Sequence, residues 1–305
     1  MFQAHAFSGG LTGVIAFPVT PFTPSGELDL AGLERNLTAL MRHRWAAIVA
    51  AGGTGELYSL APEEHREVIK LVVNQAAGRA PVVAGVGLNT VLGAQMARQA
   101  AAAGVDAILA LPPYYPHADD EGLLEYYAAL GAATPLPLWI YSRDWVNPDA
   151  DWVLRLAERV PTLQAWKDGQ ADLRRLQRIM HRLGSRLLWV GGAGDDAVPG
   201  YYALGLRVFT SSISTVAPRL ALRLHELAAR GDQAELRQLL DEFVTPLYVL
   251  RARRKGYEVT VMKAMMQEAG LAAGPVRPPL PVLRAAERAE VAALVKHWQP
   301  WLDPA

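Results

Sequence analysis

The sequence predicts a (β/α)8 TIM barrel with a C-terminal helical extension. Three observations carry that expectation. Most of eight short β-like runs are apolar at both alternate positions, as parallel strands covered on both faces require. Each run leads into Gly, Pro, Ser or Thr. Amphipathic stretches separate the runs, and the units recur at roughly 20–35 residues.

The first run, 13–19, leads into Thr20-Pro21-Phe22, and Asp29 caps a helix expected over 29–43. The second, 46–52, ends in Gly52-Gly53-Thr54-Gly55-Glu56, and Pro62-Glu63-Glu64 opens a helix over 62–77. The third, 82–87, precedes Asn89-Thr90, a cap for 90–102. The fourth, 107–113, runs into Tyr114-Tyr115. The fifth, 137–142, ends in Tyr141-Ser142-Arg143, with Asn147-Pro148-Asp149 starting a helix over 149–159. The sixth, 163–169, closes on Lys167-Asp168-Gly169 before a helix over 172–183. The seventh and eighth, 187–192 and 207–213, end in Gly191-Gly192 and Thr210-Ser211-Ser212.

The barrel is expected to occupy residues 10–230, with 231–305 packed on it as helices over 233–251, 258–269 and 283–298. A Pro/Gly-rich connector, 272–281, separates the last two. An open doubly wound sheet shares the β-α alternation. Eight units without a dinucleotide fingerprint favour closure, because Gly85-Val86-Gly87 lacks the third glycine.

Composition narrows the function. The 305 residues carry 30 basic and 30 acidic side chains, so there is no net charge to draw nucleic acid. No apolar run approaches the ~20 residues of a membrane helix. A small-molecule partner is expected, with no nucleic acid and no membrane. The chain has no cysteine, which removes thiolate nucleophiles and disulfides, and its first residues lack a signal-peptide pattern. A cytoplasmic location is therefore expected. The seven histidines are scattered without metal-ligand spacing, so no metal site is expected.

Barrel sites collect at the C-terminal strand ends. Of the five lysines, only Lys167 stands at such an end. A desolvated lysine can lose its proton and attack a carbonyl, which arginine cannot do. Tyr141 is the candidate acid/base beside it. Gly53 and Thr54, with Ser211 and Ser212, offer neutral donors for an anion, and Arg143 can clamp a carboxylate. Tyr115 is a further binding candidate. Together they describe a keto-acid site. Plainer readings stand beside each: Lys167 paired with Asp168, the glycines as turns, Arg143 in a surface ion pair. Lys263 is expected to snorkel from its helix.

Gly52-Gly53-Thr54-Gly55-Glu56, Pro113-Tyr114-Tyr115, Tyr141 and Lys167, in this order, resemble the dihydrodipicolinate synthase/N-acetylneuraminate lyase superfamily of class I Schiff-base lyases. The resemblance runs from about residue 10 into the C-terminal helices. Within it, Lys167-Asp168-Gly169, Asp172, the stretch 208–212 and the segment 256–280 are most similar to the 5-dehydro-4-deoxyglucarate dehydratase family. The resemblance implies a decarboxylating dehydratase that needs no cofactor beyond the covalent lysine and forms homotetramers built from dimers, with Tyr115 near the subunit contact. Gly53 departs from the synthase activity, which uses a hydroxyl at that position. Ser142 departs from the dehydratase, which generally has asparagine there. A 2-keto-3-deoxy sugar acid aldolase, a synthase-type pyruvate-dependent lyase and a non-catalytic keto-acid-binding barrel remain as alternatives.

Overall fold

A computed structural model describes residue 7 and residues 10–114 and 117–303. Eight parallel strands form a closed barrel in chain order: β1 (Gly13–Ala16), β2 (Ala47–Ala50), β3 (Val82–Leu88), β4 (Ala107–Pro113), β5 (Leu138–Ser142), β6 (Leu163–Asp168), β7 (Leu188–Gly191) and β8 (Val208–Ser211). Closure is direct, because β1 pairs with β8 from Gly13↔Val208 to Ala16↔Ser211. The predicted barrel is therefore correct, and the open sheet is excluded. Six of the eight predicted runs shorten, β1 and β8 at their upper ends for identifiable reasons. Pro18 has no N–H to give the ladder, and a 3-10 turn begins at Ile213 after β8.

Helices α1 (Leu30–Leu40), α2 (Pro62–Ala76), α3 (Thr90–Ala103), α4 (Asp120–Ala132), α5 (Ala150–Arg159), α6 (Leu173–Leu183), α7 (Val198–Ala203) and α8 (Pro218–Arg230) follow the eight strands in turn. The acceptors read from sequence, Asp29, Asn89 and Asp149, each take a backbone N–H of the first turn, and Asp172 does the same for α6. The amphipathic pattern does not mark α4, since Leu123, Leu124, Tyr126, Tyr127 and Leu130 are all buried and blur its period.

Then come α9 (Gln233–Leu239), α10 (Thr245–Arg251), α11 (Tyr257–Glu268) and α12 (Ala285–His297). The helix expected over 233–251 is interrupted by a π segment, Leu240–Val244. Pro246 lies just beyond it and removes one helical donor. No helix among the described residues is long and apolar enough to cross a membrane.

Strand alternation divides the core in two. Ile15, Phe17, Ala47, Val49, Val83, Ala107, Leu109, Trp139, Ala165, Val190 and Val208 form the cluster inside the barrel, two residues apart along each strand. Their neighbours, such as Val14, Ile48, Ile108, Ile140, Trp166 and Phe209, join the larger layer beneath the helices. Phe7 packs edge-on against Trp139, with ring centroids 5.2 Å apart. Inward parity therefore continues upward to Tyr141, Lys167, Gly192 and Thr210.

The connector after α11 lies close to the barrel's upper loops. Phe22 N–H donates to Ala273 O at 3.0 Å, and Asn36 exchanges two hydrogen bonds with the Ala272 backbone. Gly274 has φ +65°, and a Cβ there would lie 1.7 Å from Phe22 O. By contrast, a Cβ at Gly53 meets nothing within 4 Å. Gly274→Ala is expected to lower stability by roughly 2–3 kcal/mol in urea unfolding. Gly53→Ala is expected to stay within about 0.5 kcal/mol of the wild type in the same measurement.

Candidate active site

Lys167 and Tyr141 are register partners on adjacent strands, β6 and β5. Both side chains point into the barrel mouth, one step above Ala165 and Trp139. Lys167 is only 3% exposed. Its Nζ lies 3.2 Å from the centroid of the Tyr141 ring and 5.0 Å from that of Phe17. Both the amine and the Tyr141 hydroxyl donate to Gly192 O, at 3.4 and 3.3 Å. That shared acceptor sets the two functional groups side by side.

Glycines make the room. A Cβ at Gly192 would lie 2.5 Å from Lys167 Cγ, and one at Gly169 would lie 2.4 Å from Tyr141 Cε2. A Cβ at Gly191 would strike the Tyr201 ring. From α7, Tyr201 donates to Asp168 Oδ2 at 2.8 Å and accepts from Ala193 N–H at 3.2 Å. Asp168 is thereby turned away from the barrel, with Ala171 N–H as its second donor. The ion pair between Lys167 and Asp168 weighed from sequence does not form.

Burial drives the electrostatics. It pushes the Lys167 amine well below the ordinary lysine value, and the Arg143 charge pushes the same way against the weaker pull of Asp168. Burial raises the Tyr141 hydroxyl above its usual value, partly countered by Arg143. An amine whose pKa is lowered next to a phenol whose pKa is raised is an arrangement that suits carbonyl addition with proton transfer.

The loop after β2 reaches the same mouth. A Cβ at Gly85 would lie 2.2 Å from Ala51 O, so only glycine lets that carbonyl approach. Gly52 packs on the Phe17 ring, the ring that also faces the lysine. Thr20 donates to Gly55 O at 2.7 Å. Within the turn, Gly53 O and Gly52 O accept from Glu56 and Leu57. The amides of Gly53 and Thr54 donate to no backbone carbonyl among the described residues. Gly53 and Thr54 are half-buried and remain placed to meet an anion.

Arg143 is half-buried, donates to Gly169 O at 3.4 Å and also reaches exposed Asp144. Its guanidinium is close enough to Tyr141 to act on both titrating groups. The serines differ from expectation. Ser211 has the outward parity of Phe209, and its Oγ accepts from Ser214 N–H at 3.1 Å. Thr210 is the inward residue of β8, and it donates to Gly191 O at 3.4 Å. Ser212 Oγ accepts from Arg251 of α10 at 3.0 Å. Strand period therefore places Thr210, rather than Ser211, on the inner face of β8. Tyr115 lies outside the described residues.

Lys263 does not snorkel. It is 2% exposed, and its Nζ pairs with Glu56 Oε1 at 2.5 Å. The residues that sequence reasoning missed are Phe17, Thr210, Tyr201 and the packing glycines. Strict counting by two from Ile15 and Val208 would have found Phe17 and Thr210.

The chain matches the dihydrodipicolinate synthetase family over residues 10–298. It is 38% identical over 288 residues to a protein named probable 5-dehydro-4-deoxyglucarate dehydratase from Bradyrhizobium diazoefficiens, covering 93% of this chain and 91% of that one. A protein of the same name from Saccharopolyspora erythraea is 41% identical over 288 residues, 93% of each chain. Among solved structures, dihydrodipicolinate synthase from Oceanobacillus iheyensis superposes with a TM-score of 0.90 at 29% identity, covering 98% of this chain and 100% of that one.

The depressed Lys167 pKa has a linkage consequence. Between its folded value and the ordinary lysine value the unfolded chain binds the extra proton, so this group's contribution to stability rises with pH across that window. Lys167→Met is therefore expected to be more stable than the wild type, by most at acid pH. The gap should shrink as pH climbs toward the ordinary lysine range. Thermal melts of both proteins between pH 5 and pH 9, a window of about four units, check it.

Proposed function

The chain belongs to the dihydrodipicolinate synthetase family, and from that premise we propose that it is the lyase that converts 5-dehydro-4-deoxyglucarate to 2,5-dioxopentanoate, CO2 and water through a Schiff base on Lys167. One observation carries the reading: a buried lysine amine without a carboxylate partner, beside a tyrosine hydroxyl, at the mouth of a closed barrel. The relatives at 38% and 41% identity bear that dehydratase name, which supports this substrate over others in the family.

Lys167 adds to the substrate ketone, and loss of water gives an iminium. The iminium acidifies the adjacent CH2, and Tyr141 serves as acid/base for the proton transfers. Enamine formation expels the β-hydroxyl as water and leaves a conjugated iminium. The C–C bond to the distal carboxylate then breaks, CO2 departs, and its electron pair flows through the conjugated system to nitrogen. Protonation, tautomerisation and hydrolysis release the keto-aldehyde and restore the amine. The lysine is its own electron sink, so the scheme calls for no cofactor.

Thr54, the amides of Gly53 and Thr54, and Thr210 are the donors for the carboxylate beside the ketone. Arg143 serves the distal carboxylate, loosely enough to let it leave. Ser212 stays a binding candidate through its contact with Arg251. The family resemblance also supports a cytoplasmic homotetramer, a dimer of dimers.

Borohydride added with the substrate, or with pyruvate as a probe, is expected to fix a covalent adduct on Lys167, located by peptide mass. Lys167→Ala should abolish both adduct and turnover. Tyr141→Phe should still trap but lose roughly 10²–10⁴-fold in kcat. Product analysis identifies the reaction: CO2 with a five-carbon keto-aldehyde is expected. Pyruvate with an aldehyde would instead make the protein an aldolase, and a fully active Lys167→Ala would end the scheme.

A further inference from the structure

Two buried charges have no part in the chemistry above. Glu56 ends the 52–56 loop with its carboxylate fully buried, and its backbone is held at φ 54°, the left-handed region that an L side chain rarely adopts. Lys263, from α11, meets it at 2.5 Å and donates a second bond to Pro275 O at 2.9 Å. Arg277 completes the arrangement. Its backbone N–H reaches Glu56 Oε2 at 3.5 Å, and its guanidinium makes two 2.6 Å bonds to Glu64 of α2. It also donates to Ser59 O and Gly26 O. Lys263 Nζ and the Arg277 guanidinium lie over the Phe22 ring, 4.0 and 4.1 Å from its centroid. The upper loops after β1 and β2 are therefore gripped from outside by the C-terminal segment.

The grip has a direction. Glu56 is two residues beyond Thr54 and three beyond Gly53, and Gly53 O accepts from Glu56 N–H at 3.1 Å. Moving Glu56 therefore moves the turn that carries the Gly53 and Thr54 amides. On the opposite side Thr20 and Gly85 fix the same loop through Gly55 O and Ala51 O. Among the described residues no barrel side chain neutralises the Glu56 carboxylate; Lys263 of α11 pairs with it and the Arg277 N–H of the connector reaches it.

We propose that Lys263, pairing with Glu56, is a positioning residue that sets the 52–56 loop for the carboxylate of the keto acid, so that the C-terminal segment completes a site whose reacting groups lie in the barrel. This deepens the keto-acid reading and rests on it. Lys263 touches no substrate. Its effect passes through Glu56 to the loop amides, and it tunes substrate capture while leaving Lys167 and Tyr141 in place.

The test uses the full chain with Lys263→Met and the charge-free pair Glu56→Gln/Lys263→Met. Borohydride trapping on Lys167 is titrated against pyruvate, and amide exchange is followed across residues 52–57 and across β6. In Lys263→Met, half-saturation by pyruvate is expected to rise about tenfold or more, with the saturating yield per folded molecule retained. Exchange should quicken at residues 52–57 and not at β6. Removing both charges ends the uncompensated burial, so the pair should regain melting temperature without regaining half-saturation.

A purely structural role would restore both together, and that result overturns the proposal. So does wild-type half-saturation with unchanged loop exchange in Lys263→Met. If Lys263→Met does not fold, the pair is measured in its place. If the wild type traps no adduct, the keto-acid reading fails by itself, and the exchange comparison still decides whether Lys263 holds the loop.

Discussion

An amine has been taken out of water without a counter-ion, and the rest of the site follows from that. A buried ammonium left unpaired costs several kcal/mol, so burial drives the pKa of the group down. Lys167 is walled by the Phe17 and Tyr141 rings and offered one backbone carbonyl, Gly192 O, as acceptor. Lys263 is equally buried and meets the opposite solution, a carboxylate at 2.5 Å. Burial lowers both amines, but Glu56 opposes the fall in Lys263, whereas Arg143 deepens it in Lys167. One lysine is held in an ion pair, and the other is left with a lowered pKa that suits the proposed nucleophile.

Keeping the counter-ion away is itself a structural task. Asp168 is adjacent in the chain and would pair with Lys167 if it faced the same way. Strand alternation puts it on the outer face, and Tyr201 with Ala171 N–H satisfies it there. Tyr201 in turn needs Gly191, just as Lys167 needs Gly192 and Tyr141 needs Gly169. Three missing Cβ atoms on β6, β7 and their loops thus let two large side chains lie over the strand ends and a third brace them from behind. Closure of the sheet supplies the rigidity, since each strand of this mouth has two hydrogen-bonded neighbours.

Much of this could be read from sequence because it repeats with a period. Eight β-like runs, several followed by a cap such as Asn89 or Asp149, leave little freedom in the architecture, and Lys167 stands out as a lone amine at a strand end. What was not legible depends on phase and on distant chain. Thr210, Ser211 and Ser212 are consecutive hydroxyls, and choosing among them requires knowing which face of β8 points inward. Val208 answers that only once the barrel interior is identified. Lys263 lies over two hundred positions from Glu56, and nothing local distinguishes a snorkelling lysine from a buried one. Helix α4 is apolar on too many sides to show a helical period.

Arg143 joins these threads. Its positive charge helps to depress the Lys167 pKa, which favours the neutral amine that the proposed reading requires. On the proposed reading the substrate brings two carboxylates, and one of them lies against that guanidinium. The anion screens the amine from Arg143, so positive charge at the Lys167 nitrogen becomes less costly just as the iminium forms. Loss of the distal carboxylate as CO2 reverses this balance. Arg143 is then again without its anion, the cationic nitrogen is disfavoured, and hydrolysis back to the neutral amine is the direction the field supports. On that reading a single guanidinium two residues beyond Tyr141 disfavours a charged nitrogen before attack and after release, and the substrate anion weakens that opposition in between.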